Sequence, residues 1–223
     1  MTAARAAARA ALVAAARRLD AHGLNVNASG NLSMRTEDGI LVTPSGIPPE
    51  AMGVDDCALL DPAGRPADPA GPTPTSEWRL HLEIHRRRPD VAAIVHTHSP
   101  EATAAATLGA DLPAVHYVVA RFGDSVLRCA PYSTYGSAEL ATNVADTLGD
   151  DAAACLMANH GAIAVGDDLD TAVALTVDVE WFCGVHRRAL ALGTPTVLDD
   201  AEIERVAARF RTYGQPERSP EGL

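Results

Sequence analysis

Two strand-like runs lie either side of a tight turn near the start of this chain, and that spacing limits the folds open to it. Val26 to Arg35 and Ile40 to Thr43 flank Glu37-Asp38-Gly39, a link too short for a helical crossover. Further strands are expected at Cys57 to Leu60, Ala92 to His98, Ala114 to Ala120 and Ser125 to Ala130. A pair of strands over Ala153 to Val165 would turn near Asn159-His160-Gly161. Helical patterns fall between them, at Thr2 to His22, from a Thr75 or Ser76 cap to about Arg88, and at Pro100 to Leu108. Ser137 to Leu148, Asp168 to Leu192 and Asp199 to Arg211 continue the series. The stretch from Pro62 to Pro74 is rich in Pro, Gly and Asp and reads as a loop. Helices alternating with strands give an α/β class, and the short links require a mixed, largely antiparallel sheet. The 223 residues suit one domain over 1–223, with a Pro-containing tail after about residue 214 expected to lack order.

Composition removes several function classes. The formal net charge is −11, which opposes the phosphate neutralisation on which non-specific nucleic-acid binding depends. No apolar run approaches the roughly 20 residues of a membrane span. The Ala- and Arg-rich start carries Leu12, Val13, Ala16 and Leu19 on one helical stripe, which fits a first helix better than a targeting peptide. Cys57, Cys129, Cys155 and Cys183 form no C-x-x-C pair, consistent with reduced thiols in a cytoplasmic protein. All 18 basic residues are arginine. A chain without lysine has no Schiff-base amine and no P-loop lysine. Carbon–carbon bond cleavage beside a carbonyl would therefore need another electron sink, and a metal ion is the natural substitute.

The sharpest local signal is Ile94-Val95-His96-Thr97-His98. On a strand, residues two apart share a face, so both imidazoles would project together. His160, beside Gly161, is a third candidate. Three histidines with an open position match a catalytic zinc site. H-x-H alone is a weak pattern, because a single histidine is more often just solvated or hydrogen-bonded. Competing patterns fail, however: a metallo-β-lactamase-like site would continue H-x-H-x-D-H, and here Ser99-Pro100-Glu101 follows. His22, His81, His85, His116 and His186 read as structural.

Thr75-Ser76-Glu77 opens a helix whose hydroxyls and free N–H groups could hold an anion, with a carboxylate beside it. An ordinary N-cap followed by an acid has the same appearance. Ser29-Gly30-Asn31 and Thr43-Pro44-Ser45-Gly46 are small polar turns able to present N–H groups to a phosphate.

Taken together, these segments resemble the class II aldolase/adducin family. The matching stretches run in order through Ala28-Ser29-Gly30-Asn31-Leu32-Ser33, Val42-Thr43-Pro44-Ser45-Gly46-Ile47-Pro48 and Pro74-Thr75-Ser76-Glu77. His81 with Arg88-Pro89-Asp90-Val91, Ile94-Val95-His96-Thr97-His98-Ser99 and Leu112-Pro113-Ala114-Val115-His116-Tyr117 follow. Cys129-Ala130-Pro131-Tyr132, Asn159-His160-Gly161-Ala162 and Phe210-Arg211-Thr212-Tyr213-Gly214 complete the series. Each stretch is modest, but their joint order is specific, and the resemblance is strongest to the family's L-fuculose-1-phosphate aldolases. It implies a three-layer α/β/α sandwich, a zinc ion (manganese or cobalt being acceptable to the same ligands) and a homotetramer with active sites between subunits. It also implies that His96, His98 and His160 bind the metal, joined by Glu77 when substrate is absent, and that Glu77 is the catalytic acid/base. Asn31, Ser45, Gly46, Thr75 and Ser76 would grip phosphate, and Tyr117 and Tyr213 would offer hydroxyls to the aldehyde end. Asn159 departs from the pattern, standing where the family has a first histidine before His160.

The activity so implied is cleavage of a ketose 1-phosphate to dihydroxyacetone phosphate and a short aldehyde through a metal-stabilised enediolate. Related readings are a sugar-phosphate 4-epimerase, in which an aspartate would stand at Glu77, a methylthioribulose-phosphate dehydratase or a sugar-acid phosphate decarboxylase. A binding module like adducin's head would have lost its ligands, whereas here all three histidines are present.

Overall fold

A computed structural model describes residues 3–212 of the protein. Tyr213 and the tail beyond it lie outside the described residues. The chain begins with α1 (Ala3–Ala21), whose Leu12, Val13, Ala16 and Leu19 form the buried stripe expected from their spacing. β1 (Asn31–Thr36) and β2 (Gly39–Val42) make the expected hairpin, and β3 (Ala58–Leu60) extends it. Next come α2 (Trp78–Arg87), β4 (Ala93–Thr97) and α3 (Pro100–Ala106). The short strands β5 (Leu112–Pro113), β6 (Val126–Leu127) and β7 (Cys129–Ala130) lead into α4 (Ala138–Leu148). β8 (Ala154–Met157), β9 (Gly161–Gly166), α5 (Leu169–Leu192) and α6 (Asp200–Phe210) complete the fold. Ser137, Asp168 and Asp199 accept from backbone N–H groups at the starts of α4, α5 and α6, as N-caps do.

Seven strands form one sheet in the order β3-β2-β1-β4-β9-β8-β7. Among the described residues only β7 and β8 run parallel, so the sheet is mixed and largely antiparallel. Its strands alternate strictly between two helical layers, the arrangement of a sheet buried on both faces. Leu32, Ala93, Val95, Ala162, Ala164, Ala154 and Leu156 pack towards α1, α3 and α5. Ile94, Ile163, Val165, Cys155 and Met157 pack towards α2 and α4. His96 is two residues beyond Ile94, so it faces the α2 layer.

Three local expectations are corrected. Residues 114–120 do not form a strand: Pro113 ends β5, and Tyr117–Phe122 winds into a 3-10 turn capped by His116. Tertiary packing overrides the β-branched Val118 and Val119 here, because the turn buries both with Phe122, whose ring meets Phe182 edge-on at 5.7 Å. β1 starts at Asn31 and not at Val26, because Asn27 and Gly30 take positive φ of 56° and 77°. α2 starts after Glu77, which is itself the N-cap, and not after Thr75 or Ser76.

The turn expected near Asn159-His160-Gly161 takes its left-handed bend at Asn159, with φ of 53°, and not at Gly161; asparagine tolerates that conformation better than most residues. Gly161 is needed for a different reason. A Cβ there would lie 2.3 Å from the Thr97 carbonyl oxygen and 3.1 Å from the His98 ring. Gly161→Ala should therefore push β9 away from β4 and lower stability by about 1–3 kcal/mol, read from the urea midpoint. An unchanged midpoint would show that the two backbones part freely.

Candidate metal centre and active site

His96 comes from the end of β4, His98 from just beyond it, and His160 from the turn before β9. β4 and β9 are paired, with His96 opposite Ile163 and Thr97 opposite Ala162, so residues far apart in sequence arrive at one sheet end. The three rings meet edge-on with centroids 4.8 to 4.9 Å apart. Glu77 reaches them from the start of α2 on the layer that covers this face.

The contacts are close. The His96 and His98 Nε2 atoms are 3.0 Å apart. Glu77 Oε2 is 3.1 Å from His96 Nε2, and Glu77 Oε1 is 3.3 Å from His160 Nε2. Among the described residues these four side chains could share one ion, their facing atoms all lying within 4.8 Å of one another. Ligand atoms on one tetrahedral zinc, each about 2.0–2.2 Å from it, sit roughly 3.3–3.6 Å apart.

The electrostatics fit a divalent cation. Glu77 is buried, and its Oε1 has no hydrogen-bond partner among the described residues. Burial pushes the Glu77 carboxyl up, but the facing His96, hydrogen bonds from His96 and Asn31, and His160 outweigh it and hold it well below the usual carboxylate range. Burial opposes charge on His96, yet Glu77 and the Ala162 carbonyl raise its pKa. Burial, with help from neighbouring rings, pushes His98 and His160 down to about 4. A buried anion thus faces two imidazoles, His98 and His160, held neutral, the protonation state that metal binding requires. His96 Nδ1–H donates to the Ala162 carbonyl at 2.9 Å, which directs the Nε2 lone pair towards the cluster.

A cavity of about 150 Å³ opens beside the cluster and is bordered by Ser45, Gly46, Thr75, Ser76, Glu77, His98 and His160. The expected phosphate residues therefore converge next to the expected metal ligands. Asn31 also borders the cavity, but its amide is committed: Nδ2 donates to Glu77 Oε2 at 3.0 Å, and Oδ1 pairs with His81 Nε2 at 2.5 Å. Tyr117 is not brought to this cavity. It is half exposed, stacks on His116 at 4.3 Å and lines a separate groove with Trp181 and Phe210.

Sequence reasoning missed two features. Tyr135 borders the cavity, and no motif or spacing marks it. Asn25 Oδ1 accepts from the His98 backbone N–H at 3.3 Å, and a Cβ on Gly30 would lie 2.1 Å from that oxygen. The glycine beside Asn31 therefore makes room for a side chain that holds His98.

A family model for the class II aldolase and adducin N-terminal domain matches residues 10–186. A 5-methylthioribulose-1-phosphate/5-deoxyribulose-1-phosphate aldolase from Rhodospirillum rubrum is 41% identical over 220 residues, covering 99% of this chain and 98% of that protein. L-fuculose phosphate aldolase from Escherichia coli is 39% identical over 193 residues, covering 86% of this chain and 88% of that protein. A solved L-fuculose 1-phosphate aldolase superposes with a TM-score of 0.87 at 33% identity, over 92% of this chain and 96% of its own.

Buried neutral imidazoles also set a pH dependence. Beyond the cluster, burial lowers His81 to about 3 and His85 to about 4, from 6.5 in the free side chain. Between about pH 6.5 and 4 the unfolded chain binds protons that these rings refuse when folded, so stability rises with pH across that window. The urea midpoint of metal-free protein should accordingly fall as the pH is lowered from 6.5 towards 4. Zinc should raise the thermal midpoint of wild type at pH 7 and have much less effect on His160→Ala. Equal zinc stabilisation of both proteins would place the ion elsewhere.

Proposed function

The chain belongs to the class II aldolase and adducin family, and from that premise we propose that it is a divalent-metal-dependent aldolase acting on ketose 1-phosphates. The products are dihydroxyacetone phosphate and a short aldehyde. The observation that carries this reading is the buried Glu77 carboxylate, one oxygen unpartnered, set among three imidazoles and beside a cavity rimmed by hydroxyls.

His96, His98, His160 and Glu77 would hold the ion, with zinc the natural choice for imidazole and carboxylate ligands and manganese or cobalt compatible with them. When bound, such an ion supplies Lewis-acid polarisation of the ketose carbonyl. Ser45, Gly46, Thr75 and Ser76 bind the phosphate and so place the sugar carbons beside Glu77, and Asn31 sits at the same rim. As the carbon–carbon bond breaks, the hydroxyl on the departing carbon gives up its proton and becomes the aldehyde, and Glu77, free of its ligand role once substrate is bound, takes up a proton and returns it to the carbon left behind; in the synthetic direction it removes that proton. Its place at the N-terminus of α2 sets the positive end of the helix dipole against the carboxylate.

Tyr117 belongs to a different groove from Glu77 within one chain. Its proposed hydroxyl role at the aldehyde end therefore requires an active site shared between copies, as in a homotetramer. The proposed role of Tyr213 rests on the family resemblance, since that residue lies outside the described residues.

The substrate panel follows from the relatives: 5-deoxyribulose 1-phosphate, 5-methylthioribulose 1-phosphate and L-fuculose 1-phosphate. Wild-type protein with zinc should release dihydroxyacetone phosphate from at least one of them. Glu77→Gln should slow hydrogen exchange at the carbon of dihydroxyacetone phosphate by about 10²–10⁴-fold. Wild-type exchange rates in that variant would remove Glu77 from the chemistry.

A further inference from the structure

We propose that Ser33, His81 and His85 are positioning residues for Glu77, holding its carboxylate through a one-way chain of hydrogen bonds that begins at His85. The inference rests on the proton-transfer role proposed for Glu77.

The chain arises from a match between two periods. Asn31, Ser33 and Arg35 alternate along β1 and face α2, while Leu32 and Met34 face α1. Glu77, His81 and His85 recur every fourth residue from the N-cap of α2. Two strand residues advance about 6.7 Å and four helical residues about 6 Å, so the rows interdigitate. Glu77 Oε2 meets Asn31 Nδ2 at 3.0 Å, and Asn31 Oδ1 meets His81 Nε2 at 2.5 Å. His81 Nδ1 meets Ser33 Oγ at 2.8 Å, and Ser33 Oγ meets His85 Nε2 at 2.9 Å. His85 Nδ1 lies 3.4 Å from Arg35 Nη2. Glu77, Asn31, Ser33, His81 and His85 are all buried.

Counting protons gives the chain its direction. A carboxylate only accepts, so Asn31 turns its NH₂ towards Glu77 and its oxygen towards His81. His81 must then donate from Nε2, which leaves Nδ1 to accept from the Ser33 hydroxyl. Ser33 has one hydrogen, so its oxygen accepts from His85 Nε2–H. His85 Nδ1 is left without a proton, facing Arg35, which cannot accept one. The Val91 carbonyl, 3.3 Å from His85 Nδ1, only accepts; with the single ring proton on Nε2, it takes its hydrogen from Arg35 Nε at 3.2 Å. The low pKa values of His81 and His85 agree with one proton on each ring. Arg35 Nη2 gives its two hydrogens to the His85 and Arg88 carbonyls, at 2.6 and 3.2 Å, and so lies against His85 Nδ1 as a fixed positive charge and not as a donor.

Every donor points towards Glu77, so the links polarise one another in the same sense. Asn31 blocks proton transit, because a side-chain amide cannot accept a proton on one side and release one on the other without becoming an imidic acid. The chain therefore aims and polarises the carboxylate and does not feed it protons.

The direct test is long-range ¹H–¹⁵N NMR of the zinc-loaded, full-length protein at pH 7. Both His81 and His85 should be neutral with the proton on Nε2. A proton on Nδ1 of either ring, or two protons on one, overturns the proposal. In kinetic measurements Ser33→Ala, which removes a group three hydrogen bonds from Glu77, should lower kcat about 10- to 100-fold, with KM and zinc content unchanged. His81→Gln, which keeps an N–H near the Nε2 position, should recover most of the kcat lost in His81→Leu. Wild-type kcat in Ser33→Ala overturns the proposal. If His81→Leu does not fold, the tautomers and Ser33→Ala still decide. A wild-type protein that cleaved no ketose phosphate would sink the aldolase reading, while the tautomers would still judge this one.

Discussion

A carboxylate buried among imidazole nitrogens is unstable unless something positive joins it, and the architecture around Glu77 is arranged about that requirement. Glu77 Oε2 takes a hydrogen bond from Asn31, while Oε1 has no donor among the described residues and faces His160. A proton on His96 can partly balance the charge, and a divalent cation would balance it fully while using all four donor atoms. Removing a charge from water is expensive and is offset only by close, well-aimed partners. The β4–β9 pairing, the helix start at Glu77 and the glycine at Gly161 each supply part of that aim.

The sheet and α2 act together on this site. The sheet delivers the histidines, two from β4 and its end and one from the turn before β9. α2 delivers the carboxylate at its N-terminus and, through His81 and His85, a row of groups that interlocks with β1. Loss of the β1–α2 register by one strand residue would turn Asn31 and Ser33 away from α2, because strand side chains alternate between faces. The fold around this site is therefore a positioning device with little freedom along its main axis.

Groups outside the cluster are less tightly tied to it. The rim residues Ser45, Gly46 and Ser76 are exposed, which leaves them free for a ligand. Tyr117, Trp181 and Phe210 gather around a larger groove of about 890 Å³. Tyr117 and Trp181 are exposed there, and Phe210 is half-buried.

Much of this was legible in the chain itself. The stripe of α1, the hairpin of β1 and β2, the caps of α4, α5 and α6, and the pairing of His96 with His98 follow from period and local chemistry. So did the exclusion of amine-based catalysis, which needs only the absence of lysine. Sequence alone could not show that residues 117–122 coil instead of extending, that Asn159 takes the left-handed bend, or that Tyr135 borders the cavity. Nor did it pair His81 and His85 with Asn31 and Ser33, although N-x-S-x-R and E-x₃-H-x₃-H carry matching periods. Local patterns report which face a residue takes on its own element. Which face of which neighbour it meets depends on long-range pairing, and only the tertiary structure decided that here.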